Sequence, residues 1–171
     1  MQMKICVCQI AMLLVGLLSP TWIAGQRSTA GMICGNPSSQ CSSSYTFSSY
    51  QLLFQIRDKL IFGKTYKSVQ FYSVVLKSVR TNEADECIHI SEEERLEVQN
   101  LFRDRKVFAS RVSCPEELVL YTNVDQEFNF LAVYAGADQS KAKEMLKRVK
   151  ATARYPQAYL RRMQVVLEFS T

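Results

Sequence analysis

Aromatic and β-branched residues crowd positions 128–135, FNFLAVYA, and Gly136 ends the run. Such side chains suit a pleated, half-buried strand, and the pattern predicts one here. Beyond it the period changes. Ala142, Met145, Leu146 and Val149 recur at i, i+3, i+4 and i+7, with Lys141, Lys143, Lys147, Arg148 and Lys150 on the other faces. That spacing predicts an amphipathic helix, with Asp138 or Ser140 placed to cap it by accepting from its first free N–H groups. Tyr155-Pro156 closes the segment, because a residue before proline avoids helical ψ. An extended run over 157–163, continuing into 165–167, completes a strand–helix–strand unit.

A second copy of this pattern lies upstream. Residues 71–78, FYSVVLKS, read as the first strand over again. Ser91 with Glu94 fits a capping box, and the helix it opens directs Leu96, Val98, Leu101 and Phe102 inward. Residues 106–111 take the place of 157–162. A further apolar run at 118–123 joins Phe128 through 125–127, a link of hairpin length. The predicted order is therefore β-α-β, one extra hairpin strand, then β-α-β: an α+β chain with two helices on one face of a sheet. Before it, Tyr50, Leu52, Phe54 and Ile56 alternate with Gln51, Leu53, Gln55 and Arg57. The alternation predicts a strand, with Gly63-Lys64 as a turn. This arm, residues 50–69, is expected to join a sheet edge or cover a face. Residues 31–49, rich in Ser with few apolar groups, read as a linker that buries too little to order itself.

Composition places these elements. The chain has 171 residues, 47% hydrophobic and 22% charged. Lys4 followed by an apolar run over 5–18 reads as a signal peptide within 1–30, cut between 24 and 30, where Ser28-Thr29-Ala30 fits best. The run is too short for a span, so no stable membrane anchor is expected. The remainder is one domain of secreted or periplasmic character. Charge is uneven: 31–80 carry six Lys/Arg against one Asp, 81–127 five against twelve Asp/Glu, and 128–171 eight against three. Solvated helix faces account for most of it. An exported chain makes nucleic acid a poor partner.

Cysteines agree with export. Cys34, Cys41, Cys87 and Cys114 remain after the leader, an even number that permits three pairings. A zinc site lacks the usual C-x₂₋₄-C spacing. Cys87 and Cys114 follow the C-terminal ends of two strands that run parallel in a β-α-β crossover. They therefore meet at one sheet edge, which favours Cys87–Cys114 and, by elimination, Cys34–Cys41.

Catalysis finds little support. His89, the one histidine, sits beside Cys87 in an acidic loop, and Glu92, Glu93 and Glu94 are explained by a helix start. No enzyme, cofactor or metal is expected. Binding has more to draw on. Tyr72, Val74 and Leu76 should face the helices, leaving Ser73, Val75 and Lys77 on the other face. Tyr159 and Arg161 also share a face. A ring beside guanidinium and hydroxyl donors suits a sugar. The plainer alternative packs Tyr159 under the arm. In 128–135 both residue sets are apolar, as expected if something covers that side too.

The doubled βαβ resembles the sporulation-related repeat (SPOR) domain. The likeness rests on Tyr72–Ser78 (YSVVLKS), Phe130–Gly136 (FLAVYAG), 142–149 and Ala158-Tyr159-Leu160-Arg161, and it covers 70–169 of a domain that spans 70–171. It implies a ferredoxin-like βαββαβ sheet with two helices on one face, binding peptidoglycan glycan strands. Val75 and Lys77 stand where the family often carries glutamine and glycine. The ligand-binding candidates are Ser73, Val75, Lys77, Tyr159 and Arg161. The alternative is a secreted, disulfide-stabilised interaction domain with a protein partner, its sheet face covered by its own arm.

Overall fold

In the computed structural model the described residues are 31–81, 90–112, 114 and 117–169. Residues 1–30, read above as a leader, and Cys87 and His89 lie outside them. The chain is α+β, with two helices and seven strands in two antiparallel sheets among these residues. Strand β1 is Lys64–Lys67 and β2 is Phe71–Arg80. Helix α1, Glu92–Leu101, precedes β3, Val107–Ala109, and β4, Val119–Tyr121. Strand β5, Phe128–Gly136, leads to helix α2, Gln139–Ala151, then β6, Tyr159–Met163, and β7, Val165–Phe169.

Both helix starts follow the sequence. Ser91 Oγ accepts from Glu94 N–H at 3.1 Å and Asp138 Oδ1 from Lys141 N–H at 2.9 Å. Gly136 holds φ +89, a conformation that favours glycine, between β5 and α2. Helix α2 buries Ala142, Met145 and Val149, with Leu146 half-buried beside them. Helix α1 departs from expectation. Val98 and Phe102 are buried, but Leu96 and Leu101 are exposed. Arg95 takes the inward place instead. Its Nε and Nη2 donate to Glu92 at 2.7 and 2.6 Å, and its Nη1 donates to the Val107 carbonyl at 2.9 Å. A buried cation is tolerated when its donors are met in this way.

The larger sheet has the order β3-β5-β2-β6. Its helix side is a core of Val74, Leu76, Val107, Leu131, Val133 and Ala135 against Val98, Phe102, Ala142, Met145 and Val149. On the other side lie Phe71, Val75, Phe108, Phe130, Ala132 and Met163. Both residue sets of β5 are thus buried, as their double apolar pattern implies.

What buries the second side is the smaller sheet, β1-β7-β4, together with the arm. Three expectations change here. The run 118–123 forms no hairpin with β5; β4 pairs with β7 instead. The run 157–167 is not one strand. Gln164 interrupts it, so β6 edges the larger sheet while β7 is the central strand of the smaller one. The breakpoint is fixed by hydrogen bonds: Gln164 N–H donates to Thr122 Oγ1 at 2.8 Å, and its side-chain amide to the Ser68 carbonyl at 3.0 Å. Finally, the Gly63-Lys64 turn opens a strand, β1, that pairs with β7.

Over 50–57 Leu52, Phe54 and Ile56 are buried as read, with Gln51 buried beside them, and this part of the arm forms an isolated bridge, Ile33 to Phe54, in place of a strand. Its hydrogen bonds go elsewhere. Leu52 N–H donates to the Tyr121 hydroxyl at 3.2 Å, and Tyr50 accepts from Ala109 N–H at 2.9 Å, which covers the edge of β3. The stretch expected to be an unordered linker is packed as well. Ile33 joins the core, Tyr45 and Phe47 lie against it, and Cys34–Cys41 form the expected disulfide. The aromatic residues supply the burial that the Ser-rich composition conceals. Gly35 brings its backbone onto the Tyr134 ring, where a Cβ would overlap the ring carbons. Cys114 is also disulfide-bonded, and its partner lies outside the described residues, as does the expected partner Cys87.

Candidate functional site

The arm and smaller sheet leave one part of the second face open. There, at the β6 edge, lies a cavity of about 240 Å³ lined by Val75, Ser78, Val124, Asp125, Phe128, Phe130, Tyr159 and Arg161. Four elements build it. Strand β2 supplies Val75 and Ser78, β5 supplies Phe128 and Phe130, β6 supplies Tyr159 and Arg161, and the turn after β4 supplies Val124 and Asp125.

Register explains which side chains converge. Strand β6 runs antiparallel to β2, with Val75 opposite Tyr159 and Ser73 opposite Arg161. Opposed residues share a face, so Tyr159 and Arg161 stand on the side away from the helices. The Arg161 guanidinium lies 5.3 Å from the centre of the Tyr159 ring, within cation–π range. Tyr159 is 42% exposed.

The five sequence candidates do not all meet. Val75, Tyr159 and Arg161 line the cavity. Ser73 shares their face but is fully buried, and its Oγ has no hydrogen-bond partner. Lys77 is on the opposite side. The β2–β5 pairing shifts by one residue between Val75 and Lys77, leaving Leu76 without a partner and setting Lys77 opposite Leu131 of the helix-side core. Because strand faces alternate, a one-residue bulge reverses every assignment beyond it. Lys77 Nζ accordingly pairs with Glu94 of α1 at 2.9 Å, and Ser78 occupies the cavity side in its place. Strict alternation along 71–78 carries no mark of the bulge, so Ser78 was not foreseeable. Phe128 and Phe130 carry the even-numbered phase of β5, which the sequence, apolar in both phases, did not single out as a face. Asp125 was read only as part of a link.

Chemically, the cavity offers apolar walls from Val75, Val124, Phe128 and Phe130. It adds a carboxylate from Asp125, hydroxyls from Ser78 and Tyr159, and the Arg161 donors. The Asp125 turn is held locally, with Oδ1 accepting from Glu127 N–H at 2.9 Å and the carbonyl from Phe128 N–H at 3.2 Å. One aromatic face, one cation and one anion around a space this size suit a small polyhydroxylated group with apolar C–H faces.

The other concentration of charge is structural. Glu92, held below the usual carboxylate range first by its bond from Arg95, stands beside Lys106, whose Nζ donates to the Ser49 carbonyl at 2.6 Å. Burial, aided by nearby Arg95, lowers the Lys106 pKa to about 8. These groups tie the end of the 31–49 segment, at Ser49, to α1 and to the residue before β3. Among the described residues no group of three or more His, Cys, Asp or Glu could hold a metal ion, and no helix is long and apolar enough to cross a membrane. No protein-family model, curated protein or solved structure matches the chain.

Proposed function

We propose that this chain is an exported, non-catalytic binding module that holds a single sugar unit of a wall glycan in the Tyr159–Arg161 cavity. One observation carries the reading. The cavity combines an exposed aromatic ring, apolar walls and charged hydrogen-bonding groups on the face away from the helices. Support also comes from the strand order β3-β5-β2-β6 with two intervening helices. A doubled split β-α-β unit has that arrangement, as the SPOR-like, ferredoxin-like reading requires. The covered sheet changes the expected mode. With residues of the arm and smaller sheet on most of the face, a glycan strand has no room to lie across it. A chain end or side unit enters at the β6 edge.

Co-sedimentation with isolated sacculi, intact and stripped of stem peptides, tests this directly. Wild type should bind. Tyr159→Ala with Arg161→Ala should abolish binding while the thermal midpoint stays nearly unchanged, since both side chains are exposed. Binding by the double variant as strong as wild type refutes the cavity. Absence of wild-type binding to either preparation refutes the glycan reading. The buried second face favours a second reading, an interaction domain whose arm has become part of its core and whose partner is a protein.

A further inference from the structure

The chain reaches β1 through a loop that displays its largest apolar side chains to water. Ile61 is 58% exposed and Phe62 59%. Beside them Phe169, the last residue of β7, stands edge to face with Phe62 at 6.3 Å between ring centres. This tip is fixed. Gly63 holds φ +76 and donates its N–H to the Phe169 carbonyl at 2.6 Å. The Tyr66 hydroxyl accepts from Ile61 N–H at 2.8 Å and donates to the Lys59 carbonyl at 3.3 Å. Leu60 packs against the core just before the tip.

Cations lie along the loop and the strand β1 that it opens. Arg57, Lys59, Lys64 and Lys67 are all exposed, and none takes part in an ion pair among the described residues. Asp58 is the single acidic residue between 57 and 67. An exposed apolar cluster of this kind marks an interaction surface. Its shape is a projecting turn, and its charge is positive on balance, four cations against Asp58 and the exposed Glu168 that stands opposite Thr65. Those two properties match an anionic bilayer surface: apolar side chains reach the acyl boundary while Lys and Arg remain among the headgroups, their stems along the apolar surface. A loop already fixed by hydrogen bonds loses little freedom on insertion.

We propose that the 57–64 loop is a membrane-docking tip that inserts Ile61 and Phe62 into an anionic lipid surface, holding the protein at the bilayer without a span. The tip belongs to the smaller sheet and does not depend on the glycan reading. A reporter at the tip itself tests it. The single tryptophan, Trp22, lies outside the described residues; Trp22→Phe with Phe62→Trp moves the signal to the loop in the full chain. Vesicles of phosphatidylcholine with phosphatidylglycerol should shift its emission to the blue, and brominated acyl chains should quench it. Adding Lys59→Glu and Lys64→Glu should weaken vesicle binding roughly twentyfold or more, since each surface cation removed is worth about fivefold. Emission unchanged by anionic vesicles overturns the proposal, whatever residues 1–30 do. Equal affinity for neutral vesicles overturns it too. A concentration-dependent blue shift without lipid assigns the tip to a second copy of the chain and also overturns it.

Discussion

Replacing Phe54 by alanine asks whether the arm is a cover or a component of the core. Phe54 is 1% exposed, and its ring lies 5.5 Å from that of Phe47. Its backbone bridges to Ile33, and Gly31 approaches so closely that a Cβ would meet the Phe54 ring at 2.7 Å. Returning such a ring to water costs about 2–3 kcal/mol of transfer free energy. The space left between arm and sheet adds to this, for a total of about 3–5 kcal/mol. Domain stabilities are about 5–15 kcal/mol, so Phe54→Ala should still fold but unfold far earlier. Urea denaturation followed by far-ultraviolet and tyrosine near-ultraviolet circular dichroism reads both quantities needed. If the arm unfolds with the rest, both signals move together and the slope against urea is unchanged. A detachable arm gives another result: a loss under about 1 kcal/mol, or an early separate transition in the tyrosine signal. Either outcome would refute the arm as part of the cooperative unit, and the open face that a glycan strand needs would return.

Three further outcomes follow from the same structure. Ser73→Ala removes a buried hydroxyl without a partner, so the denaturation midpoint should rise, by about 1–2 kcal/mol at constant slope; a fall would show that the hydroxyl is bonded in solution. Because Lys106 is held at about 8, the folded state binds fewer protons than the unfolded one between there and the ordinary lysine value near 10.4. Thermal stability should therefore climb as pH rises through that window, and Lys106→Met should flatten the climb. Burial raises the pKa values of Tyr45, Tyr121, Tyr134 and Tyr155, so above about pH 10 the unfolded chain ionises first and stability should fall; a profile level from pH 8 to 11 would contradict both causes. Joint replacement of Cys34 and Cys41 by serine opens a short ring, seven residues apart in sequence, and should cost about 2.5 kcal/mol on the chain-entropy account; an unchanged thermal midpoint would mean that packing alone holds this segment.

Periodicity carried most of the larger sheet. The helix of Ala142, Met145 and Val149, both helix caps and the double apolar character of β5 were all written in spacing, because each reflects a local constraint. What escaped had long-range or single-residue causes. The partner of β4 is β7, some 45 residues later, and nothing near 118–123 distinguishes it from the closer β5. Gln164 looks like one polar residue inside an extended run, yet it redirects the chain because Thr122 and Ser68 offer it partners. The bulge at Leu76 follows from pairing, not composition, so Lys77 was placed on the wrong side and Ser78 overlooked. Arg95 was invisible as a buried residue because only the Glu92 and Val107 oxygens make its burial possible. At the cavity, Val75, Tyr159 and Arg161 were legible from alternation, whereas Asp125 reaches it through the fold of a turn.

The interruption at Gln164 also governs when this protein can fold. Strand β6 closes one edge of the larger sheet, and β7 lies between β1 and β4, which no other strand joins among the described residues. Until residues 159–169 are available, the smaller sheet has no centre. The arm then has only half of its counterpart. Local helices can form early, but the pairing that unites residues 64–67 with 166–169 spans about a hundred positions, and contacts of such separation form late. A growing chain of this design can pair β2, β3 and β5, but its smaller sheet and the arm packed against it lack their centre until β7 appears.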